Sequence, residues 1–167
     1  MIGKKPYTEW NINEVQKNIL RAKIETLYTF NLDKLPQDHN PITEAEFNSF
    51  VEEIKKTLSA FQNEININEM TVREYISVFM KTTVYHLQKM GYTANLCVER
   101  DINGSKAYGP IDYLVEINGS IVLINEAKLQ DLLKGLAQLI MQLYSASEVT
   151  LSFFVFIIFK VELTFNA

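Results

Sequence analysis

The chain has 167 residues, of which 47% are hydrophobic, a formal net charge of −4 and a single cysteine, Cys97. This length is that of one domain, which can bury a core without disulfides or metal ions, and one cysteine excludes an internal disulfide. The negative charge argues against a general nucleic-acid coat protein. No signal-peptide pattern and no run of about 18 apolar residues is present. We therefore expect an intracellular protein, cytoplasmic or nuclear, with no membrane partner.

The first 70 residues (1–70) are predicted to form a helical extension. Apolar residues recur at three-and-four spacing over residues 9–28, which is typical of a helix with one buried face. Thr43 and Glu46 then form a capping box at the start of a second helix that reaches Phe61. Acidic residues outnumber basic residues in this part of the chain. They are balanced in the part that follows.

Residues 71–148 are predicted to form the main core, beginning with a helix and a strand. Thr71 and Glu74 match a second capping box, and Gly91 is placed to end the helix that it begins. Apolar and polar residues alternate over 92–99, which predicts a strand with one buried face.

A hairpin and a last helix complete the predicted core. Asn118-Gly119 separates two short apolar segments, and this dipeptide is the strongest local signal for a β-hairpin. The spacing over 129–146 predicts a helix that buries Leu132, Leu133, Leu136, Ile140 and Leu143. Its opposite face carries Lys134, Gln138, Gln142 and Ser145.

Residues 149–167 change abruptly in composition, because aromatic residues dominate and charge nearly vanishes. The segment is either a buried central strand or a tail that does not belong to the domain. The whole pattern predicts an α+β fold, with a small central mixed β-sheet flanked by helices.

Three charged residues are expected at the open end of the hairpin: Asp112, Glu126 and Lys128. Two carboxylates and the backbone carbonyl of Ala127 would suit Mg²⁺, which prefers oxygen ligands, or the similar ion Mn²⁺. The ammonium of Lys128 would orient an attacking water or stabilise charge on a scissile phosphate. Together they suit metal-assisted hydrolysis of a phosphodiester.

The site depends on the register of the hairpin. A two-residue loop at Asn118-Gly119 places Asp112 opposite Asn125, so that it points away from Glu126. A three-residue loop that includes Ile117, or a kink at Gly109-Pro110, brings Asp112 to the same face as Glu126 and Lys128. A metal site therefore predicts one of these two deviations.

The order helix, strand, GPID, hairpin, EAK and glutamine-bearing helix resembles the PD-(D/E)xK, or restriction-endonuclease-like, nuclease superfamily. The motif sequence, GPIDYLVEI followed by EAK and a helical glutamine, is also similar to the nuclease-like domains of Crinkler-type effector proteins. The resemblance covers residues 71–146 and implies an αβββα(β) core with nucleic acid as substrate, DNA being favoured over RNA. It implies that Asp112 takes the first acidic position, Glu126 the second and Lys128 the lysine position.

The resemblance also implies catalytic roles for Glu74, at an additional acidic position, and for Gln138, or else Gln142, in the last helix. The sequence departs from the pattern at Ile111, which separates Pro110 from the aspartate. We therefore predict a metal-dependent nuclease. The alternative is an inactive nuclease-like scaffold, of effector type, that binds nucleic acid or protein.

Each of these residues also has a purely structural interpretation. Asp112 would cap a strand, and Glu126 and Lys128 would form a solvated pair on an edge strand. Glu74 is explained by its capping box alone, and the glutamines by a polar helix face. The two histidines are isolated in sequence, which argues against zinc.

Overall fold

A computed structural model describes residues 3–24, 41–64, 68–128, 131–150 and 155–159, the last range as backbone only. The helices are α1 (Ile12–Val15), α2 (Glu44–Ala60), α3 (Glu69–Lys89) and α4 (Leu132–Val149). The strands are β1 (Lys5–Pro6), β2 (Ala94–Asn103), β3 (Ala107–Ile117), β4 (Ser120–Ala127) and β5 (Val155–Phe159). The protein is a mixed α+β fold, as the sequence predicts.

The sheet is mixed, with β3 near its centre. β2, β3 and β4 form an antiparallel meander, and β5 adds in parallel to β4. The two-residue β1 runs parallel to the first residues of β3. The order from α3 to β5 is the predicted one of helix, three strands, helix and strand. Among the described residues β5 is at the edge of the sheet rather than at its centre.

Two hydrophobic clusters lie on opposite faces of this sheet, because successive β3 residues such as Leu114 and Val115 contribute to different clusters. One cluster joins α4 and the N-terminal residues to the sheet. The other joins α3 to the sheet, through residues such as Val72 and Ile76. α2 packs outside α3, where the Phe50 and Phe79 rings meet edge to face at 4.9 Å.

The two predicted capping boxes have different outcomes. In α2 the Thr43 hydroxyl accepts from the Glu46 amide, and the Glu46 carboxylate accepts from the Thr43 amide, which confirms the prediction. In α3 the box of Thr71 and Glu74 is wrong. The helix begins two residues earlier than Thr71, and Asn68 is its cap, accepting from the Thr71 amide at 2.9 Å. Asparagine is the stronger N-cap residue.

The N-terminal residues are part of the core. A 3₁₀ turn (Tyr7–Glu9), α1 and a π-helical turn (Gln16–Leu20) replace the long helix predicted over 9–28, of which residues 25–28 lie outside the described part. Tyr7, Trp10 and Val15 are buried against the sheet and α4. These residues therefore complete one face of the sheet instead of forming a helical extension outside the core.

α4 turns a different face inward from the one predicted. Its buried residues include the glutamines and Ser145, whereas Leu133 is 52% exposed. The helix is apolar around most of its surface, so spacing alone did not fix its orientation. Small residues at Gly135, Ala137 and Ala146 allow it to approach the sheet closely.

Candidate functional site

The hairpin turn has the two-residue form. Asn118 and Gly119 both have positive φ, 52° and 78°, and Ile117 pairs directly with Ser120. This is the backbone of the tight turn that Asn-Gly favours. The three-residue loop, one of the two deviations that would bring Asp112 to the face of Glu126, is therefore wrong.

A β-bulge in β4 supplies the missing shift. Val115 pairs with Leu123, so Val122 has no partner in the ladder, and Tyr113 pairs with Asn125. Extending this register by one pair places Asp112 opposite Glu126. An extra residue reverses which face all later side chains occupy, so the bulge brings both carboxylates to one face.

Asp112 is buried, with 6% of its surface exposed. The backbone amide of Ala127 donates to its Oδ2 at 2.8 Å, and Arg73 Nη2 donates to its Oδ1. Burial raises the pKa of the Asp112 carboxyl, and the Ala127 amide and the charge of Arg73 only partly oppose this. The carboxylate is thus oriented by the strand that carries Glu126.

Glu126 is also buried, with 3% exposed. Gln142 Nε2 donates to its Oε2 at 2.7 Å, and Lys128 Nζ lies 3.0 Å from its Oε1. Burial raises the pKa of the Glu126 carboxyl, and repulsion from Asp112 raises it further. Two buried carboxyls that repel each other form an energetically costly arrangement, which a cation would relieve.

Lys128 approaches the pair from the end of β4. Its Nζ contacts Glu126 and lies 3.6 Å from Glu69 Oε2 at the start of α3. Burial alone lowers the pKa of Lys128, but the carboxylates of Glu126, Glu69 and Asp112 outweigh it, so the net pKa is raised. Lys128 therefore keeps its proton at neutral pH and acts as a donor.

The structure brings together Asp112, Glu126, Ala127 and Lys128, but not the other two predicted catalytic residues. Glu74 is exposed, and its side chain forms no hydrogen bond or ion pair with any described residue. Gln138 is buried but does not contact Glu126 through a hydrogen bond; Gln142, one turn later, does. The alternative glutamine of the resemblance is thus the one at the site.

Three residues that the sequence did not single out join the site: Glu69, Arg73 and Glu99. Glu69 and Arg73 are four residues apart, so they share one face of α3 beside its buried residues Val72 and Ile76. That spacing was visible in the sequence. The role of Glu99 was not, because it depends on the pairing of β2 with β3.

The donors fit a hard divalent cation in kind. Asp112 and Glu126 are oxygen ligands on one face, and Mg²⁺ commonly uses one or two carboxylates with water and phosphate for the rest. All four carboxylate oxygens already have protein partners, so an ion would have to displace some of them. Among the residues described, no three His, Cys, Asp or Glu side chains are grouped to hold a metal.

No family model matches the chain, and comparisons with curated proteins and with solved structures give no match. Within the described ranges, none of the helices is both long and apolar enough to cross a membrane. The function is therefore argued from the geometry of the site.

Proposed function

We propose that the protein is a metal-dependent nuclease-like hydrolase of the PD-(D/E)xK type, which cleaves phosphodiester bonds of nucleic acid and prefers DNA to RNA. One observation carries the proposal: the β4 bulge places the buried carboxylates of Asp112 and Glu126 on one face, beside Lys128. The charge balance agrees, since four carboxylates (Glu69, Glu99, Asp112, Glu126) surround two cations (Arg73, Lys128). This surplus of two negative charges suits a divalent cation.

Asp112 and Glu126 would hold Mg²⁺ or Mn²⁺, with the Ala127 carbonyl as a further oxygen. When bound, the ion supplies charge neutralisation and an activated water. The Ala127 amide and the Gln142 side chain orient the two carboxylates. Lys128, which stays protonated, donates to water or to the developing charge on phosphate rather than removing a proton. An intracellular location, cytoplasmic or nuclear, belongs to the same proposal.

The test is cleavage of single- and double-stranded DNA and of RNA with Mg²⁺ or Mn²⁺. Asp112→Asn and Lys128→Met should each lower the cleavage rate at least about 100-fold, since each removes a group that acts on the reacting phosphate. Arg100→Gln is the matched control, because Arg100 also pairs with an acidic β3 residue, and its described partners are Glu116 and Cys97 rather than the site carboxylates. No cleavage by the unaltered protein with either ion would refute the enzyme.

A second candidate function is a nuclease-like scaffold that binds nucleic acid or protein without cleaving it. The observation that favours it is that the carboxylate oxygens are all satisfied by protein donors and that Asp112 and Glu126 are almost fully buried. Binding of DNA or RNA in a gel-shift assay, unchanged by Asp112→Asn and without cleavage, would select this alternative.

A further inference from the structure

Arg73 contacts two of the four carboxylates at the site, those of Asp112 and Glu99. Its Nη2 contacts Asp112 Oδ1, and its Nη1 lies 2.9 Å from Glu99 Oε1. The guanidinium therefore bridges a buried carboxylate and one that is 64% exposed. Because the Ala127 amide holds the other Asp112 oxygen, Arg73 covers the oxygen through which Asp112 would otherwise bind a cation.

The backbone of Arg73 is held to the sheet, while one donor of its side chain has no partner among the described residues. The Tyr113 hydroxyl, from β3, donates to the Arg73 carbonyl at 2.6 Å and anchors the start of α3 to the sheet. The Arg73 Nε is buried and has no hydrogen-bond partner among the described residues. The guanidinium thus leaves one of its donors unused, so the position on Asp112 is only partly satisfied.

Glu99 is the second carboxylate that the Arg73 guanidinium contacts. Its φ is 52°, a left-handed conformation that is uncommon for a non-glycine residue inside a strand. The residues on either side of it, Val98 and Arg100, pair in register with Tyr113 and Ile111, so the irregularity is local to Glu99. Such backbone strain persists where the surrounding structure enforces it and clusters at functional sites. It places an acidic partner for Arg73 beside Asp112 and nearer to solvent.

We propose that Arg73 is a built-in competitor of the metal ion: it neutralises Asp112 in the metal-free protein, and it releases Asp112 and stays paired with Glu99 alone when a divalent cation binds Asp112 and Glu126. This proposal rests on the metal site of the proposed function. The exchange replaces one positive charge by two among the same carboxylates, while Arg73 keeps a counter-ion. The ion pair reduces the metal affinity to its intrinsic value multiplied by the fraction of molecules in which Asp112 is free.

The experiment is calorimetric titration with Mn²⁺ alone, in the absence of nucleic acid. Arg73→Gln should bind Mn²⁺ about tenfold more tightly than the unaltered protein, as expected if Asp112 is free in about a tenth of molecules. Arg100→Gln, which removes an arginine of β2 that pairs with Glu116 of β3, the strand that also carries Asp112, should leave the affinity unchanged. Equal or weaker binding by Arg73→Gln would overturn the proposal.

A second pair of variants tests the same idea if Arg73→Gln fails to fold. Glu99→Gln removes the carboxylate that would hold Arg73 once it leaves Asp112, whereas Glu69→Gln removes the same charge from the ion pair with Lys128. Glu99→Gln should weaken Mn²⁺ binding more than Glu69→Gln does, and equal effects would mean that only net charge matters. Nuclease assays on the same samples separate the two proposals. If the protein cleaves nucleic acid but the variants bind Mn²⁺ with unaltered affinity, only the competitor role of Arg73 is refuted. If Arg73→Gln binds Mn²⁺ more tightly but no sample cleaves nucleic acid, only the nuclease activity is refuted.

Discussion

At the scale of single residues, the site depends on a close approach between α4 and the end of β4. Gly135 lies in the first turn of α4, and a β-carbon added there would be 2.7 Å from Lys128 Cγ. The Lys128 stem passes over a position where no side chain fits. The absence of a side chain at residue 135 therefore helps to fix the ammonium beside Glu126, 3.0 Å from its carboxylate.

Gly135→Ala should displace Lys128 and lower the proposed nuclease activity by up to about 100-fold, the cost of a small misplacement of a reacting group. Alanine is favoured over glycine in a helix by up to about 1 kcal/mol, so the clash and the helix propensity oppose each other in stability. Thermal unfolding of a double-mutant cycle with Lys128→Ala checks this. In that background the clash is absent, and Gly135→Ala should stabilise the protein. A stabilisation of equal size in both backgrounds would show that Gly135 does not constrain Lys128.

At the scale of elements, Glu46 joins α2 to α3. Its carboxylate accepts from the Thr43 amide at the start of α2, and Lys89, in the last turn of α3, lies 3.0 Å from its Oε1. The Thr43 amide, then Lys89, lower the pKa of Glu46 from 4.5 to about 2. One carboxylate thus caps one helix and fastens the end of another.

A lowered pKa in the folded protein makes stability depend on acid. The folded state holds fewer protons on Glu46 than the unfolded state, so the stabilisation is complete above pH 4.5 and is lost as the pH falls through about 2. Glu46→Gln should lower the melting temperature at pH 7. Near pH 2 the melting temperature of this variant should approach that of the unaltered protein. Circular dichroism melts across this range test it. Glu44→Gln, in the same helical turn, is the control, and a melting difference for Glu46→Gln that is constant with pH would contradict the prediction.

At the scale of the whole molecule, the N-terminal segment closes one face of the sheet. Trp10 is 1% exposed and Tyr7 is 2% exposed, and the Tyr7 hydroxyl donates to the Ile102 carbonyl of β2 at 3.1 Å. Lys5 binds this segment together, since it contacts Glu14 at 2.9 Å and lies 4.7 Å from the centre of the Trp10 ring. The segment acts as part of the core.

Trp10→Ala should therefore destabilise the protein by about 3–5 kcal/mol, the usual cost of truncating a buried aromatic residue to alanine. Leu20→Ala, at a residue of the same segment that is 41% exposed, should cost less than about 0.5 kcal/mol. Urea unfolding of both variants measures the difference. A loss below about 1 kcal/mol for Trp10→Ala would mean that the core is stable without this segment.

The sequence by itself determined the elements, because their signals are local. The helical spacing of α2, α3 and α4, the Thr43 and Glu46 box, the Gly91 stop and the Asn118-Gly119 turn act between residues a few positions apart, and each is present. The spacing over 9–28 is the exception, since a 3₁₀ turn, α1 and a π-helical turn replace the predicted helix. The α+β class follows from their order. The approach of Asp112 to Glu126 and Lys128 was predicted on condition of a three-residue loop or a kink at Gly109-Pro110, whereas the register shifts at a bulge in β4 instead.

Only the tertiary structure decided where the shift lies and what surrounds it. The bulge at Val122 has no sequence signature, because any residue can be left unpaired when the side chains on both faces of the strand must reach the hydrophobic clusters they pack against. The inward face of α4, the burial of Trp10 and the bridge from Glu99 through Arg73 to Asp112 likewise depend on contacts between distant segments. Local sequence therefore determines which reactive residues the candidate site contains, whereas packing between distant segments determines its geometry and its counter-charges.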